Sequence, residues 1–273
     1  MVRRRDVLAS LLSVPAASLA QPACGRSFSD AGLQLYTVRR LLARDYEGTL
    51  ARAAQLGYRQ VEFAGMYPAA PRQTLAMLKR HGLTAPSGHA SHQELDRDLG
   101  GALRTANELE QRFIVCPSVD EGQRRSLDDW KRIGQSFNRI GAESRRAGLV
   151  FAYHNHDFEF PLLGGQVPYD VLLAETDPAL VRLEIDLYWM ARAGRDPLDY
   201  FRKYPGRVPL VHLKDMARDG TITELGQGTI DFRRILANAE LAGIVQCFVE
   251  HDDPADPLRS IETSLHYLRN LRM

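Results

Sequence analysis

Eight short apolar runs, each followed by a helix-forming stretch and a polar or glycine stop, constrain this chain more than any other feature. The runs fall at 32–37, 60–63, 83–88, 112–116, 149–154, 181–185, 208–213 and 244–249. Between them lie helical patterns at 46–56, 72–80, 95–111, 126–146, 169–176, 197–203 and 232–241, with a last one at 257–271. Continuous apolar strands alternating with helices predict a parallel sheet covered on its outer face. Eight such units close into a barrel. An open nucleotide-binding sheet would need a GxGxxG or Walker-type loop after an early strand, and none is present. Gly226-Gln227-Gly228 reads as a turn before the helix at Asp231. The expected fold class is therefore α/β, a (β/α)8 barrel, in one domain over 28–273.

Composition narrows the function classes. A net charge of +1 over 273 residues leaves no basic footprint for nucleic acid or for an anionic membrane. Cys24, Cys116 and Cys247 have neither paired spacing nor a CxxC, which excludes a zinc knuckle or disulfide framework. The N-terminus reads as an address. Arg3-Arg4-Arg5 precedes an apolar stretch from Val7 to Ala20, with small residues at Ser18-Leu19-Ala20. Arg4-Arg5-Asp6-Val7-Leu8 resembles a twin-arginine signal, so residues 1–27 are expected to direct export to the periplasm or beyond.

Four ligand-type residues, Glu159, Asp186, His212 and Glu250, stand at or just past the ends of four successive apolar runs. In such barrels the site lies at the C-terminal ends of the strands. Alternation puts Asp186, Glu184 and Arg182 on one face of the sixth strand, His212 with Leu210 and Lys214 on the seventh, and Glu250 with Phe248 on the eighth. Singly, a strand-end carboxylate can cap the next helix and a lone histidine can be a hydrogen-bonded core residue. Together, three carboxylates and an imidazole would repel and be costly to desolvate, and a divalent cation resolves both problems. Oxygen-rich ligation with one imidazole suits Mn²⁺ or Mg²⁺, with Co²⁺ and Zn²⁺ as alternatives.

Several stretches carry a family likeness: Gly32-Leu33-Gln34-Leu35-Tyr36-Thr37-Val38-Arg39, Gly57-Tyr58 to Val61-Glu62, Tyr153-His154-Asn155-His156, Asp186-Leu187-Tyr188-Trp189, Val211-His212-Leu213-Lys214-Asp215 and Gly226-Gln227-Gly228. In this order they resemble the sugar phosphate isomerase/epimerase family of xylose isomerase-like TIM barrels. The resemblance implies a metal held by a Glu, Asp, His, Glu set, carried here onto Glu159, Asp186, His212 and Glu250, with Glu159 and Glu250 also exchanging protons with the sugar. His156 competes with Glu159 for the place on the fifth strand. Arg218 matches a substrate-oxygen-binding arginine, and Lys214 either shares that work or pairs with Asp215. Trp189 departs from the family by standing where a substrate-binding histidine is usual. Trp189, Tyr188, Phe63, Tyr67 and Phe158 can form a platform under a sugar ring. Glu62, His89 and His92 are candidates for specificity contacts.

The activity so implied is isomerisation or epimerisation of an unphosphorylated ketose or keto-sugar, by proton transfer through an enediolate stabilised by the metal. Elimination from a 3-keto-glycoside uses the same machinery. A non-catalytic sugar-binding barrel and an endonuclease-like phosphodiesterase are the rivals of other kinds. The expected partner is a small sugar, with neither nucleic acid nor membrane for the mature form, and the resemblance allows a homodimer through rim loops.

Overall fold

The computed structural model describes residues 30–272, and the export reading over 1–27 lies outside the described residues. Eight parallel strands form a closed ring: β1 (Gly32–Gln34), β2 (Gln60–Phe63), β3 (Thr84–His89), β4 (Phe113–Cys116), β5 (Val150–His154), β6 (Val181–Asp186), β7 (Leu210–Leu213) and β10 (Gln246–Val249). The hairpin strands β8 (Asp215–Met216) and β9 (Ile222–Thr223) stand outside the ring. Pairing of Gly32 with Phe248 and of Leu33 with Val61 closes it. The expected single-domain (β/α)8 barrel is what the chain forms.

Strand alternation sorts the core into two compartments. Ile114, Phe151, Leu183, Val211 and Val249 face outward and join the large cluster under the helices. Their neighbours Phe113, Val115, Ala152, Leu210 and Phe248 form a separate cluster inside the ring. Gly32 is required there, because a Cβ at that position would lie 2.5 Å from the Phe248 ring.

Helix boundaries follow local chemistry. Ser126 and Asp129 form a reciprocal capping box at the start of the helix Leu127–Arg146. Asp45 and Asp256 accept backbone N–H bonds at two other helix starts. Three expectations shift. The first strand stops at Gln34, because its side-chain oxygen accepts from the Tyr36 N–H and starts a 3-10 turn over Leu35–Val38. The helix expected at 232–241 divides into Phe232–Leu236 and Ala239–Ala242, separated by Ala237 and Asn238. A short helix, Leu187–Arg192, follows β6 directly, with Asp186 as its cap.

Candidate active site at the C-terminal mouth

One pleat beyond the inner apolar cluster, the same strands present ionisable groups. Ala152 is followed on its face by His154, Leu210 by His212 and Phe248 by Glu250. The period carries past the strand ends to Lys214 and Asp252. The imidazole of His212, fully buried, is the hub. Its Nε2 lies 2.6 Å from Glu62 Oε2 and 3.2 Å from Glu184 Oε2. Its Nδ1 lies 2.8 Å from Glu250 Oε2, 3.2 Å from His154 Nε2 and 4.0 Å from Asp186 Oδ2.

Two sets of ligand-type side chains therefore meet at this ring. Glu62, His89, Glu184 and His212 form the deeper one, and His154, Asp186, His212 and Glu250 the one nearer the mouth. Within each set one ligand atom per residue lies within 4.8 Å of the others. In the deeper set Gln34 Nε2 donates to Glu62 Oε2 at 2.8 Å, and His89 Nε2 lies 2.9 Å from Glu184 Oε2. In the outer set the Asp186 Oδ1 accepts from the Trp189 N–H, while its Oδ2 is buried with no hydrogen bond. That oxygen lies 3.0 Å from Lys214 Nζ and 3.6 Å from His154 Nε2. That carboxylate oxygen, paired with one ammonium and set beside two imidazoles and a second carboxylate, belongs to a donor set that fits a divalent cation.

The electrostatics are those of crowded buried charge. Burial opposes ionisation of Glu250, but Lys214 and His212 overcome it and hold its carboxyl well below the usual range. Burial likewise opposes charge on His89, and the Glu62 and Glu184 carboxylates push it up to about 9. His156 is driven the other way by burial, with His154 and Lys214 adding to it. A cavity of about 250 Å³ opens above this layer, with His89, His154, His156, Lys214, Glu250 and Asp252 in its wall.

The family model for a xylose isomerase-like TIM barrel matches residues 50–271. The chain belongs to that family. The inosose dehydratase of Clostridium tetani is 29% identical over 182 residues, covering 57% of this chain and 59% of that protein. The chain spans 42%, 41% and 59% of the length of three such relatives. Among solved structures, a sugar phosphate isomerase/epimerase from Parabacteroides distasonis is 26% identical, with a TM-score of 0.76, covering 93% of this chain and 96% of that one. The zinc-containing IolI protein, 15% identical, superposes with a TM-score of 0.66 over 87% of this chain and 96% of its own, a likeness of fold.

Within this xylose isomerase-like barrel the sequence-derived residues separate. Asp186, His212 and Glu250 come together. Glu159 joins neither ligand set. Its Oε1 accepts from the Tyr153 hydroxyl at 2.7 Å and its Oε2 from the His156 N–H at 2.9 Å, behind the end of β5. Burial pushes its carboxyl up to about 7 against those two hydrogen bonds. The strand-five member of the outer set is instead His154, the last residue of β5. His156 points its ring among Phe158 and Trp189, with centroids 5.3 Å from each, and lines the cavity without joining a ligand set.

Other placements differ from expectation. Arg218 sits exposed in the turn of the β8–β9 hairpin, outside the cavity wall. Glu62 is wholly buried under His212 and cannot touch a substrate directly. His89 does reach the cavity. Lys214 pairs with Asp186, Glu250 and Asp252 and not with Asp215. Asp215 instead gathers the Gly226, Gly228 and Ile230 N–H groups, which explains the Gly-Gln-Gly motif as a loop wrapped on a carboxylate. A Cβ on Gly228 would lie 2.3 Å from Asp215 Oδ1. Glu184, Asp252 and Gln34 were missed. Glu184 shares the Asp186 face by simple alternation, and that parity was its signal.

Proposed function

We propose that this protein is a metal-dependent enzyme that removes a proton next to the carbonyl of an unphosphorylated keto-sugar or keto-cyclitol and eliminates the group one carbon further on. The observation that carries this reading is the make-up of the mouth. Isomerases that exchange protons on both faces of a carbon need two opposed carboxylates, and Glu159 is withdrawn behind β5. The carboxylates left in the cavity wall are Glu250 and Asp252, both just past the end of β10 and both paired with Lys214, and they share the wall with imidazoles from His89, His154 and His156.

His154, Asp186, His212 and Glu250 would hold the cation. Bound there, a divalent ion would supply Lewis acidity to the substrate carbonyl, favouring loss of the neighbouring proton. Glu250, held by His212, is placed to take that proton. The C–H electron pair becomes the new C=C bond, the C–O bond to the leaving group breaks, and its oxygen takes up a proton. His89, backed by Glu184 and Glu62, is the group in the wall best placed to donate it. Glu62 and Gln34 fix the hub from below, orienting the His212 ring. Trp189, Phe158 and His156 offer aromatic faces to a ring substrate.

The names of the inosose dehydratase relatives support elimination. The Parabacteroides neighbour supports the second reading, isomerisation or epimerisation with the carbon skeleton retained. The export reading of residues 1–27 belongs to the same proposal and fits an unphosphorylated substrate. The test is incubation of metal-loaded protein with ketohexoses, inososes and 3-keto-glycosides in D₂O, followed by NMR. An unsaturated ketone with release of water or aglycone is the expected result. Deuterium gained on an intact skeleton would favour isomerisation, and neither signal across the panel would contradict both readings.

A further inference from the structure

The Lys214 ammonium sits against two members of the outer ligand set, and its geometry sets a condition on how that set can take a metal. Its Nζ lies 3.0 Å from Asp186 Oδ2, 2.9 Å from Glu250 Oε2 and 2.7 Å from Asp252 Oδ1. Its side chain is only 2% exposed, so the carboxylates carry most of the compensation of its charge. Asp186 and Glu250 belong to the outer ligand set, and Asp252 belongs to neither set. The ammonium therefore sits on two oxygens that a divalent ion would use.

We propose that Lys214 is a built-in rival of the metal ion, holding Asp186 and Glu250 in the metal-free protein and moving wholly onto Asp252 when a divalent cation enters. The proposal rests on the reading that the outer set binds a metal. Ligand oxygens lie at about 2.0–2.6 Å from such an ion, so an ammonium left on the same two oxygens would press against a double positive charge. Asp252 offers the way out. It follows Glu250 by two residues, on the same side of the chain, and its carboxylate is 27% exposed at the edge of the cavity. Removing the ammonium without replacement would leave two buried carboxylates, Asp186 and Glu250, and the half-buried Asp252 facing one another, which explains why the side chain is there in the metal-free state. Once moved, the ammonium stands at the cavity wall, within reach of a substrate oxygen. Loading the metal is thus an exchange of one cation for another, and affinity is set by the difference between them.

The test is a cycle of Mn²⁺ binding measurements, by calorimetry and by the electron paramagnetic resonance signal of free Mn²⁺, on the full chain and three variants. Lys214→Met is expected to bind Mn²⁺ at least about tenfold more tightly than the parent. Asp252→Asn is expected to bind it about tenfold more weakly, because the displaced ammonium loses its only remaining partner. In the double variant the Asp252→Asn change should have little effect, because there is no ammonium left to receive. Unchanged or weaker binding by Lys214→Met would overturn the proposal. So would an Asp252→Asn loss that persists in the double variant, which would make Asp252 act on the ion directly. Should Lys214→Met fail to fold by circular dichroism, Asp252→Asn still decides, since no weakening there contradicts displacement. Absence of Mn²⁺ binding by the parent and every variant would instead sink the metal reading itself.

Discussion

At its N-terminal end the barrel is filled by Phe113, Val115, Ala152, Leu210 and Phe248, and a cavity of about 220 Å³ there is walled by Phe113, Val150, Pro209, Ile244 and Val245 with Arg112 and Arg182. At its C-terminal end a cavity of about 250 Å³ is walled by His89, His154, His156, Lys214, Glu250 and Asp252. The spaces are of similar size and built on the same strands, yet a single pleat separates hydrocarbon from a layer of buried charge. Burying carboxylates and imidazoles costs several kcal/mol per uncompensated group. The lower layer shows that the fold can fill its ring without them. The upper layer is therefore explained by chemistry, and the lower one by packing.

Substitutions at the two ends should separate these roles. The largest effect is expected at the upper end, where Glu250→Gln should lower turnover about 10³-fold while substrate binding persists, measured by steady-state kinetics and calorimetry. A variant with normal turnover would remove Glu250 from the proton transfer. At the lower end, Phe248→Ala should cost about 3–5 kcal/mol of unfolding free energy, read by urea denaturation, with metal content per folded chain unchanged. Loss of metal from that folded variant would show that the two layers are not separable.

Glu159 tests the boundary between them. Its carboxyl is raised from 4.5 to about 7 by burial. Between those values the folded protein holds a proton that the unfolded chain has released, so the stability it contributes is present at low pH and lost as pH rises through that window. Glu159→Gln should abolish this decline, worth about 2–3 kcal/mol, when unfolding is compared at about pH 5 and about pH 8. A parallel pH dependence in both proteins would contradict the assignment. The smallest effect is expected at Arg218→Ala, on the exposed hairpin turn, which should change kcat/KM less than about twofold. A large loss would bring that hairpin back into the site.

Much of this was legible in the sequence because two periodicities repeat through it. Strand alternation and the spacing of strand–helix units located all eight ring strands, and the same parity put Asp186, His212 and Glu250 inside. The reading failed where the chain leaves the strand. Glu159 follows β5 by five residues, through a tight turn at Asp157, and in such a turn position no longer determines direction. His154, the last residue of β5, is the better guide for that reason. Arg218 lands outside the cavity wall for a similar reason, because six residues past His212 the chain has folded into a hairpin whose geometry no spacing rule supplies. Of the two roles open to Lys214, the pairing with Asp215 does not form, because alternation turns these sequence neighbours to opposite sides.

The account stands or falls on the outer ligand set, and anomalous diffraction from crystals of the Mn²⁺-loaded protein tests it most directly. It predicts a single strong peak at about 2.0–2.6 Å from ligand atoms of His154, Asp186, His212 and Glu250, with Glu159 still bonded to Tyr153 and the His156 N–H. A peak beside Glu159 or only within the deeper set of Glu62, His89 and Glu184, or no peak at the mouth in fully loaded crystals, would contradict it.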